Sequence, residues 1–362
     1  MKTIRVFGLP SHQTKDRTGG VDFVRIIQPL KHLDGFTYKG YKFKTDIYDI
    51  LKQKTFNWPA VSEKYDVVFL NYTVLDWAYA AMAMFVHKKG RKIIMDLDDA
   101  LWNINRDNIA HDALKNVGGG EILSAILRDV DGITTTNLYL KHLIAQTAKV
   151  NYDKMAVFPN AVDMKLYNHK SPAKENNNIL LFHYGSTSHF EDLLEPNFVK
   201  GMDRIFKEYP NVEFKAIGAA LPRLKMRWGP RYTYGWGHSD IYHWIKDKFP
   251  VFMDEADIMV VPLQSNTYNR CKSSIKWMET ATATKPGVFI DIRPYTEHIV
   301  NGETGYLAKN ADDWYKYLKI LIDSKKERQR IGNNAYNEVK KNHLIQNRIE
   351  DYADFIIKIL NS

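Results

Sequence analysis

The chain has 362 residues, a length for about two domains, and its 44% hydrophobic and 26% charged residues suit buried cores; disordered, collagen-like and low-complexity classes are excluded. Its 51 Lys and Arg against 42 Asp and Glu leave a formal charge of +9, which fits either an anionic partner (nucleic acid, membrane surface or phosphorylated substrate) or a lysine-rich surface kept for solubility. The one cysteine, Cys271, rules out an intrachain disulfide and any multi-cysteine metal site, and no apolar run approaches the ~18 residues of a membrane-spanning helix.

Short apolar runs rich in β-branched residues alternate with amphipathic stretches. A strand is expected at 3–7, then a polar loop with Gly19-Gly20 and a helical stretch at 21–33 interrupted by Pro29. A strand at 65–70 and a helix at 74–89 lead to a strand at 92–95 that ends in Asp96-Leu97-Asp98-Asp99. Next come a helix at 122–130, a strand at 132–136, a helix at 138–149, and a strand at 155–158 stopped by Pro159-Asn160. The polar segment 168–178, with a proline and a run of asparagines, is the expected linker. Alternation then restarts with a strand at 179–184, a helix at 198–209 and a strand at 212–217. After a basic, aromatic stretch there follow a helix at 241–248, a strand at 257–261, a helix at 273–284, strands at 288–291 and 305–308, and a mostly helical end over 312–360. This alternation predicts an α/β chain of two doubly wound domains facing a cleft, with ligands at the carboxyl ends of the strands.

The strongest local signal runs from Asn269 to Glu279, just after the strand ending Val260-Val261-Pro262-Leu263. Ser273 or Ser274 is a good N-cap, and the helix start offers free N–H groups and the positive end of the dipole. Arg270 and Lys272 precede it and Lys276 lies in its first turns. Donors plus cations at a strand's end are what a diphosphate needs, and Glu279 is placed to accept ribose hydroxyls. An ordinary capped surface helix with solvated charges is the plain alternative. Asp96, Asp98 and Asp99 fit a hard cation, an acceptor hydroxyl or a helix cap. Arg223, Lys225, Arg227 and Arg231 lie among Trp228, Tyr232, Tyr234 and Trp236, a pattern that suits nucleic acid, a single nucleotide base or a plain surface loop.

Strand, Pro-Leu, then Asn-x-x-Lys-Ser-x-x-Lys-x-x-Glu resembles the donor-binding segment of family 4-type glycosyltransferases of the GT-B fold, of the glycogen synthase and phosphorylase-like clan, and most nearly the branch of phage and surface-polysaccharide loci. Asp96–Trp102 is similar to that branch's Asp-x-Asp-Asp-x-x-Trp, and 158–163 to the Pro-Asn-x-Val-Asp that closes the family's N-terminal domain. Residues 185–192 resemble its Gly-Ser-x-x-His-x-x-Asp, and 299–307 its Val-x-x-Gly-x-x-Gly-x-Leu turn. Two departures stand out. Cys271 occupies the position eight before Glu279 where the family often has its first Glu, and the usual Arg and Lys after the first C-domain strand are missing.

The resemblance implies two Rossmann-like domains. Residues 1–168 would bind the acceptor, 169–343 the nucleotide sugar, and 344–362 would cross back to the N-terminal domain. The implied reaction moves a sugar from a nucleoside diphosphate sugar to an acceptor hydroxyl, with retention. No cofactor or metal is implied. Asp98, Asp99, Arg270 and Lys272 are the expected catalytic set. Gly19, Gly20, Gly185, Ser186, His189, Lys272, Ser273, Ser274, Lys276 and Glu279 are the expected donor-binding set, with Arg270 and Lys272 substituting for the missing cations. His183 is expected to be structural. The acceptor is expected to be a glycan or surface polymer, or hydroxymethylated bases of phage DNA reached through Arg223, Lys225, Arg227 and Arg231. A catalytically degenerate sugar-nucleotide sensor is the alternative raised by Cys271. The N-terminal apolar run is too short for a secretory signal, so a cytoplasmic location is expected, in the host if the chain is phage-encoded.

Overall fold

The computed structural model describes the chain apart from residues 11–17, 50–56, 74–75, 105, 107–110, 175–177, 186–189, 219–220 and 236–239. The first sheet is built from β1 (Lys2–Leu9), β2 (Thr37–Tyr38), β3 (Tyr41–Ile47), β4 (Val67–Asn71), β5 (Lys92–Leu97), β6 (Gly132–Thr135) and β7 (Met155–Val157). Its order is β2-β3-β1-β4-β5-β6-β7, parallel throughout except for the β2–β3 hairpin. The second holds β8 (Ile179–Tyr184), β9 (Val212–Ile217), β10 (Tyr232–Gly235), β11 (Ile258–Val261), β12 (Gly287–Ile290) and β13 (Tyr306–Ala308). It is wholly parallel in the order β10-β9-β8-β11-β12-β13. Strands β4, β11 and β12 are buried at every position, because helices cover both faces. The strand order reverses between β1 and β4 and between β8 and β11, so each sheet opens a crevice at those carboxyl ends.

Two helices differ from their expected form for one reason. The first runs through Gly20–Asp22, a π-helical turn Phe23–Ile27 and Gln28–Leu33, with Pro29 inside it. The other runs through Ile241–His243, a π-helical turn Trp244–Lys248 and Phe249–Glu255, with Pro250 inside it. Proline in a helix interior lacks an N–H and clashes with the carbonyl four residues back; a preceding wide turn relieves both problems. Pro250 therefore does not stop the second helix, which continues to Glu255 beyond the expected 248. The helix expected at 273–284 is shorter, Ile275–Thr282, and ends before Thr284, whose φ is +59°.

Residues 168–174 have no regular structure, yet Ser171 is buried, its N–H donating to Ala283 O and its hydroxyl to Met253 O. The chain crosses between the sheets twice, at Val162 and again at Leu344, and the two passes pair with each other. The final helix, Ile349–Leu360, buries Tyr352, Phe355, Ile356 and Ile359 in one cluster with Ile4, Val6 and Phe69 of the first sheet. Gly218 is required after β9: its φ is +87° and a Cβ there would lie 1.7 Å from Gly185 O. Among the described residues no helix is long and apolar enough to cross a membrane.

Candidate active site

The loop after β5 supplies carboxylates with different environments. Asp96 is fully buried and gripped by Arg25, whose Nε and Nη2 donate to Oδ2 and Oδ1 at 2.9 and 2.7 Å, while Thr134 Oγ1 donates to Oδ1 at 2.5 Å. Arg25 also donates to Phe158 O and Asn160 Oδ1. Asp96 is therefore a structural anchor, which removes it from the cation and acceptor readings. Asp99 points toward the other domain. It accepts from Tyr268 Oη at 2.9 Å and pairs with Lys272 Nζ at 3.3 Å. Among the described residues no group of three His, Cys, Asp or Glu is placed to hold a metal ion.

The segment after β11 carries the opposing charge. A short helix, Thr267–Arg270, is capped by Asn266, and buried Asn269 donates to Asp192 Oδ1 and Gln264 O. Lys272 is mostly enclosed and lies over the Tyr268 ring at 4.4 Å. Burial alone would lower its pKa; Asp99, Asp192 and Asp98 outweigh burial and hold it above the usual lysine value. Lys276 lies two residues past the N-cap, and burial, with the charge of Lys272 next, pushes it down to about 8. The two lysines compete for the same carboxylates, and Lys272 holds the nearer one.

Three expected roles change. Ser274 is the N-cap by position, but its side chain makes no capping bond and its buried hydroxyl has no partner among the described residues. Ser273 Oγ instead accepts from Asn160 Nδ2 at 2.7 Å. Arg270 is exposed and donates to Ser265 Oγ, so it stands outside the enclosed Lys272–Asp99 cluster and does not replace the missing cations there. Glu279 is not open to ribose: it is 6% exposed, and its two oxygens accept from Tyr167 Oη and Tyr184 Oη at 2.5 and 2.6 Å. Burial raises its pKa despite those hydroxyls and Lys276.

The two domains meet directly at this segment. Asn137 Nδ2, at the end of β6, donates to Cys271 O and Lys272 O at 2.8 and 2.9 Å, and Thr136 Oγ1 donates to Cys271 O. Cys271 is fully buried with Tyr268 in the N-terminal domain's apolar cluster; burial, with Asp99 next, pushes its thiol up to about 12. The position that the family often gives to an acidic residue is here a contact between domains. Across the cleft, Thr18 N–H donates to Asp240, Ile241 N–H to Thr18 O, and Lys31 Nζ to Tyr242 Oη. Gly19 is the N-cap beside that contact, Gly20 opens the helix, and Gly185 N–H bonds Ile217 O at the end of β8. Ser186 and His189 lie outside the described residues. His183 is buried and bonded to Val260 O.

In the basic stretch Lys225, Arg227 and Arg231 are bonded to the protein itself, Tyr234 is exposed, and Trp236 lies outside the described residues. Arg227 forks onto Asp203, Arg231 donates to the Phe206 and Tyr209 carbonyls, and Lys225 donates to Tyr232 O. Trp228 and Tyr232 are core residues, and Arg223 is exposed. Sequence reasoning missed Arg25, Asn137, Tyr167, Tyr184 and Tyr268, none of which belongs to a motif. Only the Pro-Asn at 159–160 signalled Asn160.

Two parallel-sheet domains of Rossmann order with a cleft between their carboxyl ends define the GT-B architecture. Residues 200–338, within the second domain, match the model of the family described as glycosyl transferases group 1. The chain is similar in structure to HepE of Anabaena, solved with UDP and glucose, at a TM-score of 0.67 and 12% identity over 98% of this chain and 99% of that one. It is equally similar to the sucrose-phosphate synthase of Thermosynechococcus elongatus, with a TM-score of 0.67 and 13% identity over 99% of each chain. For a glycosyltransferase of Rickettsia africae the values are 0.63 and 12% over 100% of each. At these identities the likeness shows the fold. Among curated proteins, trehalose synthases of Thermococcus litoralis and Pyrococcus furiosus are each 34% identical over 58 residues, which is 16% of this chain and 14% of theirs.

Proposed function

We propose that the chain is a glycosyltransferase that takes its sugar from a nucleoside diphosphate sugar. One observation carries this: two lysines crowd the head of the helix Ile275–Thr282 at the switch point of the second sheet, and the inner one is pressed down to about 8 by burial and by the other. A diphosphate relieves that repulsion. Lys272, Lys276, the uncapped N–H groups of the helix and the Ser274 hydroxyl would meet its charge, with Gly19-Gly20 and Gly185 close by. As the acceptor oxygen bonds the anomeric carbon, the bond to the diphosphate breaks, its electron pair leaves on the phosphate, where those fixed donors stabilise it, and the hydroxyl proton passes to the departing phosphate oxygen. Asp99, which reaches Tyr268 and Lys272 of the second domain, would orient the acceptor hydroxyl together with its neighbour Asp98. Glu279 would act at one remove, by fixing Tyr167 and Tyr184 behind Lys276. The family resemblance supports retention, read from the anomer of the product.

HepE was solved with UDP and with UDP-glucose, so these are the first ligands to try. Calorimetry should give UDP binding that weakens about ten- to a hundredfold in Lys272→Ala, the loss of one charge-assisted contact. Glu279→Ala should also weaken binding, with circular dichroism showing that the fold persists. Wild-type affinity in both variants would remove the assignment. Incubation with a panel of nucleotide sugars, offering simple glycans and hydroxymethylated DNA in parallel, reads the acceptor by mass. Binding with neither hydrolysis nor transfer would mark a sensor instead.

A further inference from the structure

Asp98 and Asp99 lead directly into Leu101–Asn103, a 3₁₀ turn that packs beside the short helix Thr267–Arg270 of the second domain. Beside that turn is a cavity of about 280 Å³, outside the donor site, into which the Asp96–Trp102 motif carries Leu101 and Trp102. Its walls are Leu101, Trp102 and Leu114, and its polar members are His111, Lys115 and Glu121. The indole is fixed: Trp102 Nε1 donates to both Gly120 O and Ser124 Oγ at 2.9 Å. Glycine at 120 is what lets the ring close in, since a Cβ there would lie 3.0 Å from Trp102 Cδ1. Trp102 therefore offers an immobile apolar face whose own donor is already satisfied. His111 Nδ1 is bonded to Asp112, and Lys115 and Glu121 are exposed at the mouth.

Three properties narrow the ligand. The volume is at the small end for a binding pocket, room for one ring and not for a nucleotide with its phosphates. Among the described lining residues the ionisable groups are one ammonium, one carboxylate and one imidazole, without the cationic bias that phosphate-rich polymers require. One hydrogen-bonded aromatic wall in a cavity also lined by His111, Lys115 and Glu121 matches a ring with an apolar C–H face and a hydroxylated edge. We propose that this cavity is an acceptor subsite that holds a neutral pyranose, the sugar adjoining the hydroxyl presented at Asp98 and Asp99. The proposal rests on the glycosyltransferase reading and specifies its acceptor as a saccharide.

Saturation-transfer NMR on the whole chain tests it, using methyl glycosides of common hexoses as probes and a hydroxymethylated oligonucleotide as competitor. UDP binding is followed separately by calorimetry, so failure of the donor reading shows independently. The expected result is transfer to at least one methyl pyranoside, with affinity reduced about tenfold in Trp102→Ala and in the rim variant Glu121→Gln, and UDP affinity unchanged in both. Trp102→Phe should keep most of the sugar binding, and Lys115→Met tests the rim again should Trp102→Ala fail to fold. The proposal is overturned if no pyranoside gives a signal while UDP binds normally. It is overturned equally if the variants bind sugar like the wild type, or if the oligonucleotide displaces the sugar from this cavity.

Discussion

The depressed Lys276 makes a quantitative demand on nucleotide binding. With a value of about 8 in the free protein, its ammonium is roughly nine-tenths protonated at pH 7 and one-tenth at pH 9. A diphosphate beside it raises the value in the complex, because the opposite charge favours the protonated form. If the complex keeps the proton throughout this range, the apparent affinity for UDP falls about tenfold from pH 7 to pH 9, and about half a proton is taken up per nucleotide bound at pH 8. The ligand contributes little to this trend, since a terminal phosphate has finished its second ionisation by then (pKa about 6). Calorimetry in two buffers of different ionisation enthalpy measures both quantities. Lys272→Met supplies the internal control: removing the neighbouring cation raises the pKa of Lys276, so the fall in affinity starts at higher pH even though binding is weaker overall. Flat affinity between pH 7 and pH 9, with no proton uptake at pH 8, would refute the placement of the diphosphate at this lysine.

Arg25→Met leaves Asp96 charged and buried without its partner, a loss of about 3–5 kcal/mol that a urea midpoint should report; an effect near zero would mean the pair is not formed. Cys271, buried with its thiol pushed up to about 12, should resist a thiol reagent at pH 8 in the native protein and react once the chain is unfolded in guanidinium. Lys285 is 2% exposed, its ammonium has no hydrogen-bond partner among the described residues, and burial lowers it to about 8 from an ordinary value of 10.5. Lys285→Met should therefore stabilise the fold at pH 7 by about 1–3 kcal/mol, an advantage present below pH 8 that shrinks between pH 8 and 10.5 as the wild type sheds the buried charge.

The elements were legible where one physical signal dominated. The strands at 179–184 and 212–217 fall where expected: the first is an apolar run, the second alternates apolar with charged residues, and a glycine follows each. The helices with internal prolines were harder, because nothing in the periodicity announces the π-helical turn that makes room for Pro29 and Pro250. In the site, the lysine pair at 272 and 276 could be read from its place after a strand, but the fate of each carboxylate could not. Asp96, Asp98 and Asp99 look alike in sequence; the distinction is that Arg25, 71 positions away, forks onto Asp96. Glu279 likewise reads as a free ligand group until Tyr167 and Tyr184, from separate parts of the chain, close on its two oxygens.

These long-range bonds also join the domains into one working unit. Arg25 holds Asp96 with one part of its guanidinium and Asn160 with another, and Asn160 passes its remaining donor to Ser273, beside the helix head. Asn137 fixes the two carbonyls just before it. The backbone from Cys271 to Ser273 is thus positioned by the first domain, although it belongs to the second. Any opening of the two domains about the crossover, where Val162 pairs with Leu344, would break these bonds together and withdraw Lys272 from Asp99. In the proposed reaction such a motion would bring the cationic helix head and the Asp99 carboxylate together on closure, coupling donor capture to the exclusion of water.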